Sequence, residues 1–337
     1  MANNVTDASI KAAPRQFGLW FERALPSAFE SFLESSARSV GSASATPDNP
    51  LSALSEAEGI IASAKIRYDG TLMDRAPRLR VISRTGIGYD NVVVPDATTR
   101  GIAVCNAPDG PTVSTSEHAI TLLLAVAKRI KRAEHSLRSG EKIDFFNVHD
   151  GVELNGLNLG LVGLGRIGRR VAHVASALGM TVAAYDPYLT EKGAGSDAVR
   201  VVSSLDALLA SADVVSIHVP LTSETRSLIT AARFSQMKRG AILINTARGG
   251  IVDEKALLDA LESGHLSGAG LDVFEIEPPP TDHPLLSRHD VVCTPHIAGV
   301  TVASKERLWR TAIAQAIQVL KGERPDHLVN PEVWPQR

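Results

Sequence analysis

The chain has 337 residues, 44% of them hydrophobic and 21% charged, the balance of a folded globular protein rather than a disordered one. That length suggests about two domains. The net charge of −2 gives no basic excess for nucleic acid or an anionic membrane, so the expected partner is a small dissolved molecule.

The N-terminal stretch MANNVTDASIKAAPRQFGLW lacks the continuous apolar core of a signal peptide, and no later run is long enough to span a bilayer. Cys105 and Cys293 stand far apart and outside any CxxC pattern, so neither a disulfide framework nor a four-thiolate zinc site is expected. A reducing cytoplasm fits. Strands are predicted at QFGLWFE, EGIIASA, RLRVISRTG and GIAVCNA, with helical candidates at PSAFESFLESSA and around TLMDRAP. Ser35 to Ser55, rich in Ser, Ala and Pro, reads as an irregular surface connection.

SRTGIGYDN puts Arg84 before a small glycine loop, Gly86 to Gly88, at a strand end. Backbone N–H groups in such a loop can bind an anion, the alternative being a strand that merely ends in a glycine turn. Residues 113–140, VSTSEHAITLLLAVAKRIKRAEHSLRSG, have a Ser/Thr start, a long apolar centre and a basic end before Gly140. They predict one long helix, able to cross between two domains.

From Asn158 onward apolar runs alternate with helical patterns: NLGLVGLG, RIGRRVAHVASALG, MTVAAYD, SLDALLASA, DVVSIHVP, GAILINTA, DEKALLDALESG, GAGLDVFE and DVVCTPHIA. Strands apolar on nearly every residue mean a parallel sheet covered on both faces, hence a doubly wound α/β domain. A last helical pattern over roughly 302–322 is expected to return to the first domain. The expected domains are therefore 1–109 plus 302–337 for the substrate, and 110–301 as a Rossmann domain for a dinucleotide.

In LGLVGLGRIG, Gly163, Gly165 and Gly168 form GxGxxG between a strand and a helix. One glycine permits the tight turn, one lets the backbone approach a pyrophosphate, and one lets the helix pack on the strand. The helix N-terminus adds unpaired N–H groups and partial positive charge, with Arg166 and Ile167 beside the pyrophosphate. Asp186 ends the next strand, close to the spacing expected for the acid that binds the adenosine ribose hydroxyls. Its charge would repel a 2′-phosphate, and Pro187 and Tyr188 bring no arginine, so NAD is expected rather than NADP.

Three strand ends supply candidates for chemistry. LINTARGG brings Arg248, which can grip a carboxylate with two parallel hydrogen bonds and polarise an adjacent carbonyl. CTPHIAG brings His296, able to exchange a proton near neutral pH. LDVFEIEP carries Glu277 after Asp272; beside His296 it would orient the ring, and on spacing alone it fits a solvated loop carboxylate equally well. His289, Cys293 and His296 alternate poorly toward one point, and no further ligand completes a tetrahedron, so no metal is expected.

From about Leu79 to Ala303 the chain resembles the D-isomer-specific 2-hydroxyacid dehydrogenases, and among them the phosphoglycerate dehydrogenases. The resemblance rests on RTGIGYDNV, VELNGLNLGLVGLGRIGRRVA, YDPY, HVPLT, NTARGGIVDEKALLDAL, LDVFEIEPP and TPHIAG. It implies two Rossmann-like, doubly wound parallel-sheet domains with the active site in the cleft between them, and a homodimer through the cofactor domain and its long helix. It implies that Arg248 binds the substrate carboxylate and carbonyl, that His296 is the acid/base and that Glu277 supports it. It places Gly163, Gly165, Arg166, Ile167, Gly168, Asp186, Val219, Pro220, Thr246, Ala247, Arg248, Asp272, His296, Ala298 and Gly299 at the cofactor. Arg84, Gly86, Ile87 and Gly88 join Arg248 at the substrate.

The implied activity is hydride transfer between nicotinamide C4 and C2 of a 2-hydroxy or 2-keto acid. The connections at 107–113 and 299–304 would serve as hinges for a closing cleft. Phosphoglycerate dehydrogenases use further arginines for the phosphate; Arg84 matches one such position, but Ala62 stands where an arginine is often found. The substrate is thus 3-phosphoglycerate or, alternatively, the acid of a hydroxypyruvate or glyoxylate reductase. Residues 1–60 fit the family pattern loosely, and with no amino-acid-binding domain after Arg337, feedback by serine through such a domain is not expected. A reading from another class is a non-catalytic NAD-binding scaffold or corepressor on the same fold, against which Arg248, Glu277 and His296 together argue.

Overall fold

A computed structural model describes residues 15–33, 35–142, 144–189 and 199–334. Most of the N-terminal stretch weighed against a signal peptide lies outside the described residues. The chain divides into two compact units, Met1–Gly110 with Lys305–Arg337, and Pro111–Ser304.

The first unit holds β1 (Phe17–Phe21), β2 (Ala37–Ser42), β3 (Gly59–Ala62), β4 (Val81–Arg84) and β5 (Ala103–Cys105) in a parallel sheet of order β2-β1-β3-β4-β5. β3 and β4 are buried along their whole length, as strands covered on both faces must be. Side chains alternate between faces: Trp20, Ile60 and Ile82 pack with Tyr68 on one, while Leu19, Phe21, Ile61 and Val81 meet Ile313, Ala316 and Leu320 on the other. The latter three come from the helix Val302–Lys321.

The Ser35 to Ser55 segment corrects the expectation of an irregular connection, because its residues Ala37–Ser42 form β2. This strand lies at the sheet edge, parallel to β1, and its burial follows no alternation. Pairing, not propensity, makes it a strand. Gly18 of β1 admits the neighbour: a Cβ there would come 2.8 Å from Val40 Cγ1. The two helical candidates are short, Ser27–Leu33 as a 3-10 helix and Gly70–Met73 capped by Asp69, whose side chain accepts from the Leu72 N–H at 3.1 Å.

The second unit contains β6 (Asn158–Val162), β7 (Thr181–Tyr185), β8 (Val199–Val201), β9 (Val214–Ile217), β10 (Ala241–Asn245), β11 (Leu266–Leu271) and β12 (Val291–Cys293). Their order is β12-β11-β10-β9-β6-β7-β8, and each neighbouring pair is parallel. The chain winds outward in both directions from β6 and β9, so the topological switch point lies between them. In such sheets ligands bind beyond the carboxyl ends of the strands at that point. Leu122, Leu123 and Val126 of the helix Thr112–Ala127 cover Leu159, Leu161, Ile242 and Ile244 on one face; Leu208, Leu257 and Leu261 cover Val215 and Leu243 on the other.

The single helix expected over 113–140 is two, Thr112–Ala127 and Ile130–Ser139. Arg129 breaks it with φ of +52°. Its guanidinium donates to the Ser267 carbonyl at 2.5 Å and pairs with Asp150 at 3.2 Å. These contacts offset the roughly 1 kcal/mol that a non-glycine residue loses in the left-handed region. The second helix ends at Gly140, φ +69°, where a glycine cap was expected. No helix among the described residues is long and apolar enough to cross a membrane.

Candidate active site

The glycine turn links β6 to the helix Arg166–Ala177, and each glycine meets a different demand. Gly163 has φ of +97°, and a Cβ on it would come 2.8 Å from the His218 carbonyl oxygen and from Val219 Cγ1. The end of β9 thus presses on the turn and brings Val219 to it. A Cβ on Gly168 would lie 2.4 Å from the Gly163 carbonyl oxygen, so helix and turn touch through backbone. Gly165, the N-cap residue, has nothing within 4 Å of its Cβ position. Its open side lies at the helix N-terminus, the location a pyrophosphate requires.

Asp186, beyond β7, accepts the Leu164 N–H at 3.0 Å and the Tyr188 N–H at 3.1 Å. It is therefore bound to the glycine turn itself. Thr246, beyond β10, is 8% exposed, and its Oγ1 has no hydrogen-bond partner among the described residues. A buried hydroxyl in that state suits a site that a polar ligand completes. Gly165 and Thr246 together fit a bound dinucleotide.

Arg248 lies three residues beyond β10, in a loop closed by Asn245. Asn245, 1% exposed, donates its amide to the Arg248 carbonyl at 2.9 Å and accepts the Ala247 N–H at 3.0 Å. A polar residue ending the apolar strand AILIN was the available signal for it. Gly249 sets the next spacing: a Cβ there would fall 2.0 Å from the Phe274 carbonyl carbon and oxygen. The Arg248 loop and the loop after β11 are thereby in backbone contact.

That second loop carries Glu277. Its Oε2 lies 2.6 Å from His296 Nδ1, and its Oε1 accepts the Phe274 N–H at 3.1 Å. Burial alone would raise the Glu277 carboxyl, but the His296 hydrogen bond and charge, the Phe274 N–H and the Arg248 charge together hold it below its ordinary value. With Nδ1 engaged by Glu277, Nε2 is the ring nitrogen that could meet a ligand.

His296 itself has φ of +55°, uncommon for a non-glycine residue. Its N–H donates to the Asp272 carbonyl at 2.7 Å. The Asp272 carboxylate accepts the Ile297 and Ala298 N–H groups, each at 2.8 Å, and the Thr294 hydroxyl at 2.6 Å. His118 Nε2 lies 2.9 Å from Thr294 Oγ1 and 3.6 Å from Asp272 Oδ1. Asp272 is 1% exposed and clamps the turn that presents His296, an arrangement the sequence did not disclose. Ala298 is buried in the same turn; a Cβ on Gly299 would meet Pro111 Cβ at 3.0 Å.

In the first unit Arg84 is 5% exposed and donates Nε to the Gly88 carbonyl at 2.8 Å. The Gly86–Gly88 loop is held further by Asn106, which donates to the Ile87 carbonyl at 2.8 Å, and by the Ala107 N–H, which donates to the Gly86 carbonyl at 2.9 Å.

The family described as D-isomer specific 2-hydroxyacid dehydrogenase, NAD binding domain, matches residues 120–298. The chain belongs to that family. D-3-phosphoglycerate dehydrogenase of Archaeoglobus fulgidus is 43% identical over 281 residues, covering 82% of this chain and 52% of that protein. Glyoxylate reductase of Thermofilum pendens is 44% identical over 272 residues, 79% of each chain. The crystal structure of D-lactate dehydrogenase from Aquifex aeolicus, complexed with NAD and lactic acid, superimposes with a TM-score of 0.82 at 32% identity, covering 95% of this chain and 100% of that one. The chain spans about half the length of the phosphoglycerate dehydrogenases it matches. As a 2-hydroxyacid dehydrogenase family member it carries the NAD binding domain within its second unit.

Proposed function

We propose that the protein is an NAD-dependent oxidoreductase that interconverts a D-2-hydroxy acid and its 2-keto acid. The observation that carries this reading is the Glu277–His296 contact at 2.6 Å, on strand ends shared with Arg248 and the glycine turn. Gly163 to Gly168, Asp186, Val219, Pro220 and Thr246 to Arg248 would hold NAD, which when bound would supply or take up the hydride exchanged at C2 of the acid. Arg248 binds the substrate carboxylate and polarises the adjacent carbonyl. His296 takes the C2 hydroxyl proton during oxidation and returns it during reduction, with Glu277 stabilising the charged ring. Asp186 disfavours a 2′-phosphate, and Pro187 and Tyr188 supply no cation to hold one, so the cofactor is NAD rather than NADP.

One observation favours hydroxypyruvate, glyoxylate or another unphosphorylated acid over 3-phosphoglycerate. In the first unit the N–H groups of Ser63, Lys65 and Ile66 and the hydroxyls of Ser63 and Tyr68 all donate to Glu22, which is 4% exposed. Ala62 precedes this loop, where phosphoglycerate dehydrogenases often carry an arginine. Donors spent on an internal carboxylate offer a phosphate little. Exposed apolar side chains on the second unit, among them Ile130, Leu137 and Phe146, support a second copy of the chain as the protein partner, in the cytoplasm.

The test is NADH consumption across 2-keto acids that include glyoxylate, hydroxypyruvate, 3-phosphohydroxypyruvate and longer branched acids. Turnover with a ten-fold or greater preference for an unphosphorylated acid is expected. A ten-fold preference for 3-phosphohydroxypyruvate would reverse the substrate reading. Tight NADH binding without turnover on any acid would favour a scaffold.

A further inference from the structure

A second carboxylate–imidazole pair lies directly behind the loop that carries Glu277. Glu254, the first residue of the helix Glu254–Glu262, has Oε2 3.2 Å from His283 Nε2, with the two side chains 15% and 18% exposed. Glu254 Oε1 accepts the Glu275 N–H at 2.6 Å. The preceding N–H, that of Phe274, is the one that donates to Glu277 Oε1. Two consecutive amides of one loop therefore hold two carboxylates: one from the helix behind, and one from the loop's own far end, where it orients His296.

The surroundings leave this peptide little freedom. The Phe274 ring meets His283 edge-on at 5.7 Å, and its backbone rests against Gly249. His283 Nδ1 is buried without a hydrogen-bond partner among the described residues, so the ring's one engaged nitrogen is the one on Glu254. Burial pushes the Glu254 carboxyl above its ordinary value, a push that the Glu275 amide and the His283 ring oppose only in part. Such a pair is costly to bury unless its hydrogen bonds are made, and the Glu275 N–H supplies one of them.

We propose that Glu254, steadied by His283, is a positioning residue for the Glu277–His296 pair: by holding the Glu275 N–H it fixes the loop between Phe274, whose N–H aims the Glu277 carboxylate at His296, and Glu277 itself. The two N–H groups belong to successive peptide planes that meet at the Phe274 Cα, where the Gly249 and His283 contacts limit rotation, so a shift at Glu275 displaces Phe274 and, two residues on, Glu277. This inference rests on the reading of Glu277 and His296 as the acid–base pair.

The experiment uses the full chain as Glu254→Ala, Glu254→Gln and His283→Ala. Steady-state rates with NADH and the best 2-keto acid are combined with the downfield proton resonance of His296 Nδ1, identified by its loss in His296→Asn. Glu254→Ala should lower kcat about ten-fold and lose or broaden the resonance, while KM for NADH stays within about two-fold; small displacements of a reacting group have effects of that order. Glu254→Gln, whose amide oxygen can accept the Glu275 N–H, should restore both. Wild-type kcat and resonance in Glu254→Ala, or no recovery in Glu254→Gln, would overturn the proposal. If the wild type reduces no 2-keto acid, the enzyme reading fails, and the resonance still decides: its persistence in Glu254→Ala overturns the positioning role. If Glu254→Ala does not fold, His283→Ala is read instead: the same changes are expected in weaker form, and wild-type kcat together with a wild-type resonance would overturn the proposal.

Discussion

Glu277 and His296 stand 19 residues apart in sequence, yet their Oε2 and Nδ1 atoms lie 2.6 Å apart because the loop after β11 and the turn after β12 leave adjacent parallel strands. The carboxylate pKa is held below its ordinary value, so the folded chain binds that proton less readily than the unfolded chain. The resulting stabilisation is present above the usual carboxylate range, near pH 4.3, and is lost as pH falls through the lowered folded value. Glu277→Gln should therefore melt below the wild type at pH 7, with the difference closing toward pH 3. Its kcat should fall about 10- to 100-fold as His296 loses its orienting partner. Melting curves and kcat across pH check both.

Gly249 offers a sharper structural test than any charged residue. A methyl group there would collide with the Phe274 carbonyl, which belongs to the loop bearing Glu277. Gly249→Ala should cost about 1–3 kcal/mol in overpacking and lower kcat, since Arg248 and Glu277 must both shift. The adjacent Gly250→Ala would meet the flexible Arg226 guanidinium at 3.2 Å and Leu221 at an ordinary 3.7 Å, and should be nearly neutral. Urea melts and rates of the two variants separate these outcomes.

His218 follows β9 beside the glycine turn, with Nε2 2.9 Å from Ser216 Oγ. Burial brings its pKa down to about 4. Below pH ~6.5 the unfolded chain takes up a proton that the folded ring refuses, so stability should fall as pH drops from ~6.5 to ~4. At about 1.4 kcal/mol per pKa unit the loss is at most about 3.5 kcal/mol, and less where water reaches the ring. His218→Gln should flatten this slope, which equilibrium unfolding between pH 4 and 7 would record.

The second unit was legible in sequence because its signals are local: apolar runs of strand length alternating with helical patterns, and GxGxxG between strand and helix. What escaped depends on partners distant in the chain. The strand Ala37–Ser42 exists because β1 pairs with it, and nothing in ARSVGS demands an extended backbone. Arg129 turns left-handed to reach Ser267, far along the sequence. In the site, Arg248, Glu277 and His296 were readable as residue types beyond strand ends. The clamp was not: Asp272 looked like a cofactor ligand, and only the fold reveals its hydrogen bonds to Thr294, Ile297 and Ala298. Gly249 gives no local sign either, since its need for hydrogen in place of a side chain comes from Phe274.

In the proposed reaction His296 exchanges the proton while hydride passes between the nicotinamide and C2 of the acid. The most direct measurement is the rate of NADH oxidation with the preferred 2-keto acid, wild type against His296→Asn, with NADH binding followed by fluorescence. Turnover should fall by about 10² to 10⁴, the range for a positioned acid/base, with NADH still bound. An unchanged rate in a variant that binds NADH normally would contradict the account.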